Sequence, residues 1–261
     1  MMTWRSRTHG VVWVVTTVLA ASSVGAQSAM TTEYDVRYGP LTVLSLRATT
    51  ESADGHYRTT TAARTVGVVA MLFPWQASAT TEGRLEASGF RPLTHRSSGE
   101  YRGQRRSVVI DYGIGGAVVA AAEPPAENDY REPVPIALQQ ETVDPLTATL
   151  TALASQCRGT VRVFDGRRRY DMELTDLGQA DVPPSRGAVY AGTGRHCRTE
   201  MRTIAGFWRA EPRHDERPAR LESWIASPRP DLPPIPVYLE LSSHRGTLSI
   251  HLTAATAAPV R

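Results

Sequence analysis

From Tyr34 to Leu252 the apolar residues of this chain recur mostly at every second position, in short runs separated by turns rich in Gly, Asp and Pro. A period of two sends alternate side chains to opposite faces of an extended strand. Many such runs, closely spaced, predict an antiparallel sheet that curls on itself. The clearest unit is VFDGRRRYD, from Val163 to Asp171. Val161 and Val163 alternate before its Asp165-Gly166 pair, and Tyr170, Met172 and Leu174 after it. Asp165-Gly166 is read as a two-residue turn, the Gly supplying positive φ. That register sets Phe164 opposite Arg167 and Val161 opposite Tyr170. Other strands are read around Tyr34–Tyr38, from Leu41, after Tyr57, and at 93–101, 106–112, 117–121, 160–164, 168–177, 188–190, 195–204, 221–226, 237–241 and 247–252.

Two stretches break the rhythm. Asp144 can cap a helix that has Pro145 at its first position, and Leu146, Leu150 and Leu153 follow at helical spacing. The second stretch, VGVVAMLFPW over 66–75, is almost wholly apolar and stops at Pro74. It reads as a buried helix or a buried strand, and periodicity does not decide between them. Core packing is the simpler role for it. In a curled sheet, Val68, Val69, Met71, Leu72, Phe73 and Trp75 could equally form the wall of an apolar ligand site. Proline clusters at 124–125, 133–135, 183–184 and 228–236 read as loops crossing over the sheet.

Residues 1–26 read as a secretory leader: Arg5 and Arg7, then the apolar run Val11–Ala20, then Val24-Gly25-Ala26 as a cleavage signal. The run is shorter than the roughly 20 residues that span a bilayer. A soluble periplasmic protein with no stable membrane span is expected, its one β-rich domain covering 27–261. Loss of Arg5 and Arg7 takes the formal charge from +3 to +1, which gives nucleic-acid binding no support. All 29 basic residues are Arg, so Schiff-base and P-loop chemistry, which need an amine, are excluded. Cys157 and Cys197 are the two cysteines, and an even count in an exported chain favours a structural disulfide.

No G-x-S-x-G or H-E-x-x-H motif occurs. His196 and the His214-Asp215-Glu216 cluster lack a second His at ligand spacing, so no metal site or cofactor is expected. Arg167, Arg168 and Arg169 could clamp a phosphate or carboxylate. The simpler reading pairs one of them with Asp165, Asp171 or Glu173 and leaves the others to solvent. Asp144 is better read as a helix cap than as a general acid. A hydrolase would need a nucleophile–base pair that the sequence does not display.

Taken together, YDVRYGPLTV, GVVAMLFPW with Gly83 downstream, Tyr101, Tyr112, TVDPLTA, Cys157, VFDGRRRYD including Tyr170, and Cys197 resemble a family of periplasmic proteins known as domain of unknown function 3108. The family is similar in architecture to the periplasmic lipoprotein carriers. The resemblance therefore implies an incomplete β-barrel with about two short helices covering or plugging it, and carries over no catalytic residue. The function expected is non-enzymatic: a periplasmic carrier or binding protein for an acyl chain or other apolar envelope ligand. The alternative is a protein-interaction or scaffolding module with a packed interior, docking an envelope partner.

Overall fold

The computed structural model describes residues 28–101, 103–210, 219–243 and 246–259; the leader and the His214 cluster lie outside them. Thirteen strands are present among these residues. The first seven are β1 (Ser28–Tyr38), β2 (Leu41–Ala53), β3 (His56–Thr65), β4 (Gln76–Glu86), β5 (Gly89–Tyr101), β6 (Gln104–Tyr112) and β7 (Val118–Glu123). After the crossover come β8 (Gly159–Phe164), β9 (Arg169–Asp181), β10 (Thr193–Ala205), β11 (Ala219–Ala226), β12 (Ile235–Ser243) and β13 (Gly246–Pro259). The helices are α1 (Gly67–Leu72), α2 (Ile136–Gln139) and α3 (Pro145–Ala154).

All the strands form one antiparallel sheet in the order β7-β6-β5-β4-β3-β2-β1-β13-β12-β11-β10-β9-β8. The first and last strands pair at its centre, so β7 and β8 are its edges, and the barrel is not closed by a strand ladder. The seam is filled by the crossover chain instead. The Gln140 side chain bonds both N–H and C=O of Val118 on β7, and Glu141 N–H donates to Gly116 O. On the other side Val143 and Val163 form a parallel bridge, with Val143 N–H donating to Arg162 O and Phe164 N–H to Val143 O. Bare edges recruit foreign strands; here each is partly covered by the chain's own crossover. Phe164, 1 % exposed, then packs across the seam with Val108, Ile110 and Val118.

The β8–β9 hairpin forms, but in a shifted register. Phe164 pairs with Arg169 and Val161 with Met172, not with Arg167 and Tyr170. Gly166 and Arg167 occupy the tip, closed by Asp165 N–H to Arg168 O. The reason is local: the Asp165 carboxylate accepts from both Arg167 N–H and Arg168 N–H, so its side chain replaces the return backbone bond. In either register Phe164 and Tyr170 fall on opposite faces, and they join different apolar clusters. Gly166 has φ +86°, and a Cβ there would overlap Val108 on β6.

One further expectation changes, and two features lie outside the sequence reading. Residues 188–190 are not a strand but part of the loop between β9 and β10. β4, unread in the sequence, is a strand of small residues (Ala77, Ala79, Thr81, Gly83) with little apolar contrast. In α3 the fully buried side chains are Thr147 and Ala148, while the three leucines are half-buried. α3 packs against β4, β5 and β8, where small side chains permit close approach. Cys157 and Cys197 form the expected disulfide, tying the end of α3 to β10 with Cα atoms 5.8 Å apart.

Candidate functional site

Rows of short side chains run across neighbouring strands: Ala63–Ala77–Gly99 and Thr61–Ala79–Ser97 lie directly opposite one another on β3, β4 and β5. Between them and α3 the curled sheet leaves a cavity of about 460 Å³, also lined by Trp75, His95, Val108, Leu146, Arg168 and Trp208. That lies within the roughly 300–1,000 Å³ of small-ligand pockets. Truncated side chains on one wall are the reason the interior is not filled.

The inner end of the cavity adjoins a buried hydrogen-bond network centred on Asp144, which is 0 % exposed. Asp144 caps α3 as expected, its Oδ1 accepting from Leu146 N–H at 2.9 Å and Thr147 N–H at 3.1 Å. The Thr81 hydroxyl donates to the same oxygen and that of Thr147 to Oδ2, both at 2.6 Å. With the threonine protons so committed, Thr147 must accept from the Tyr57 hydroxyl at 2.8 Å, and Thr81 from His95 Nδ1 at 2.8 Å. His95 Nδ1 also lies 3.3 Å from Asp144 Oδ1. Burial alone would raise the Asp144 carboxyl, but the hydrogen bond and charge of His95, with the two threonine bonds, hold it below the ordinary carboxylate value. Tyr57 is pushed the other way, chiefly by burial. Its ring occupies the space a Cβ on Gly83 would need, Cε1 standing 2.5 Å from that position. TVDPLTA and Gly83 are thus parts of one buried constellation.

The arginine run divides by partner. Arg167, side chain 11 % exposed, bonds the carbonyls of Ser107, Glu123 and Pro124 and the carboxylate of Asp129, which Arg106 also holds. Burial would raise the Asp129 carboxyl, but bonds from Arg106 and Arg167 leave it lowered. Arg168 pairs with Asp165 and lies 5.2 Å from the Tyr170 ring; Arg169 pairs with Asp171. All three are ion-paired, so none is left simply to solvent. Arg167 holds the hairpin to the far side of the seam, and Arg168 reaches the cavity wall.

The apolar stretch 66–75 behaves contrary to the burial expectation. It forms the six-residue α1, with no buried residue. Val68 is 53 % exposed, Met71 83 %, Leu72 69 % and Phe73 71 %. Val69 is half-buried, and of the proposed ligand-wall set Trp75 alone lines the cavity. The excursion is pinned where it leaves the sheet: Thr65 N–H donates to Trp75 O, and Trp75 N–H to the Thr65 hydroxyl. Among the described residues α1 packs only lightly, against β2 and β3, and its apolar side chains stay exposed in the connection from β3 to β4. His196 bonds Glu222 at 2.6 Å and stacks on Trp224. Sequence reasoning missed His95 altogether, because nothing near it in the chain points to Asp144.

Residues 33–253 match the family described as "Protein of unknown function (DUF3108)". The chain belongs to that family. No curated protein matches this DUF3108 chain. Among solved structures it is similar to a beta-barrel-like protein of domain of unknown function DUF1849 from Brucella abortus. The TM-score is 0.51 at 12 % identity, covering 90 % of this chain and 99 % of the other. At that identity the likeness establishes the barrel-like fold alone.

Proposed function

We propose that this DUF3108 protein is a non-enzymatic carrier or binding protein of the periplasm, holding an acyl chain or other apolar ligand inside the curled sheet. The observation that carries the reading is the cavity of about 460 Å³ between the short side chains of β3–β5 and α3. The short side chains of this wall leave room, open to solvent, that larger ones would fill. The His95–Asp144 pair does not argue for hydrolysis. The hydroxyl within reach of the imidazole, Thr81, gives its proton to Asp144 and accepts from Nδ1, so it is not poised as a nucleophile. Purification from the periplasm, solvent extraction and lipid mass spectrometry should recover a co-purifying apolar molecule in near-equal ratio to protein. Extracts without lipid, together with no uptake of an environment-sensitive apolar dye by the purified protein, would refute the carrier reading.

A second reading, docking of an envelope partner, is favoured by the exposed Met71, Leu72 and Phe73 of the α1 segment. The two are compatible, because Trp75, which ends that segment, stands in the cavity wall. Met71→Asp with Phe73→Asp should leave dye uptake intact if α1 serves docking, and abolish it if α1 closes over the ligand.

A further inference from the structure

His95 is 3 % exposed, yet its side chain reaches the cavity. Its Nδ1 is held by Thr81 and Asp144. Among the described residues Nε2, the ring's other polar atom, has no hydrogen-bond partner. A buried imidazole fixed at one nitrogen, and lining a cavity that opens to solvent, offers its other nitrogen as a hydrogen-bonding group in a wall that also carries Ala63, Ala77, Val108 and Leu146. Resting on the carrier reading, we propose that this site selects the ligand: it receives the hydroxyl group of an apolar chain, bonded to His95 Nε2.

The chemistry of the neighbours narrows the group to an uncharged one. Asp144 is an anion 3.3 Å from the ring, so a carboxylate or phosphate on the other nitrogen would bury a second negative charge beside it. A hydroxyl suits either form of the imidazole. It donates to the lone pair of Nε2 when the ring is neutral and accepts from Nε2–H when the ring is protonated. Position narrows it further. Gly99 lines the cavity four residues along β5 from His95, toward the strand end nearer the α1 connection, a rise of roughly 13 Å. The hydroxyl therefore enters ahead of the chain, and the alkyl part lies along Ala63, Ala77 and Ala79.

The test uses three ten-carbon probes, 1-decanol, 1-chlorodecane and decanoate, in competition with a bound apolar dye on the purified protein. Decanol should bind about tenfold more weakly to His95→Phe than to wild type, one hydrogen bond's worth, while chlorodecane changes little. Decanoate should bind the wild type less well than decanol. In wild-type protein carrying ¹⁵N-labelled histidine, decanol but not chlorodecane should shift the His95 Nε2 resonance, a readout that does not depend on the variant folding. Equal losses for decanol and chlorodecane in His95→Phe, or an unmoved Nε2 resonance with decanol bound, would overturn the assignment and leave the carrier reading standing. If decanol does not displace the dye, the assignment falls; if no dye binds and periplasmic extracts also lack lipid, the carrier reading falls with it.

Discussion

The three consecutive arginines offer a sharp test of how the open barrel is held shut. Arg167→Ala removes the guanidinium that bonds the carbonyls of Glu123 and Pro124 at 2.7 and 3.2 Å and shares Asp129 with Arg106. The Asp129 side chain is 3 % exposed, so truncation leaves a buried carboxylate with one cationic partner where it had two. Several backbone acceptors at the ends of β6 and β7 also lose their donor. A lost bond to a charged group costs about 1.5–3 kcal/mol, and breaking a buried pair about 3–5 kcal/mol. With partial rescue by water, about 3 kcal/mol is expected, lowering Tm by roughly 6–12 °C for a domain of this size. Arg168→Ala should cost less than about 1 kcal/mol, because Arg168 is 42 % exposed and its link to Asp165 is local to the hairpin. Urea denaturation and calorimetry of the two variants beside wild type decide the matter. If Arg167→Ala and Arg168→Ala agree within about 0.5 kcal/mol, the hairpin does not hold the seam.

Gly166→Val should destabilise by about 2 kcal/mol or more in the same denaturation experiment, through positive φ and overlap with Val108; a value near zero would mean that the tip can pull away from β6. Cys157→Ser should lower stability by about 4 kcal/mol, as expected for opening a loop of about 41 residues, and Ellman titration of the native wild type should find no free thiol. Asp144 and Asp129 are both depressed below the ordinary carboxylate value, so their contribution is complete above about pH 4 and is lost as pH falls through their folded values. Stability should therefore change little from these groups between pH 7 and about 5 and fall below about pH 4. Asp129→Asn should flatten part of that acid limb, and an unchanged limb would contradict the ion-pair assignment.

What the chain alone determines here is local. Alternation at 34–38 and 160–177 forces strands because each side chain's face depends only on its neighbours two positions away. Asp144 and Pro145 specify a helix start because cap and first turn lie within four residues, and the two cysteines of an exported chain anticipate their pairing. The motif resemblance extended this local reading to an incomplete barrel. The tertiary structure decided what depends on distant partners. Hairpin register turned on one Asp165 carboxylate taking two amide bonds, a competition that residue pattern does not rank. β4 escaped notice because a strand that lines an unfilled interior needs small side chains rather than apolar ones. His95 and Thr81 meet Asp144 only after the sheet curls, Thr81 lying 63 residues away along the chain. The 66–75 stretch marks the limit most clearly: hydrophobicity records a preference to leave water, but only the fold determines whether this chain supplies the cover.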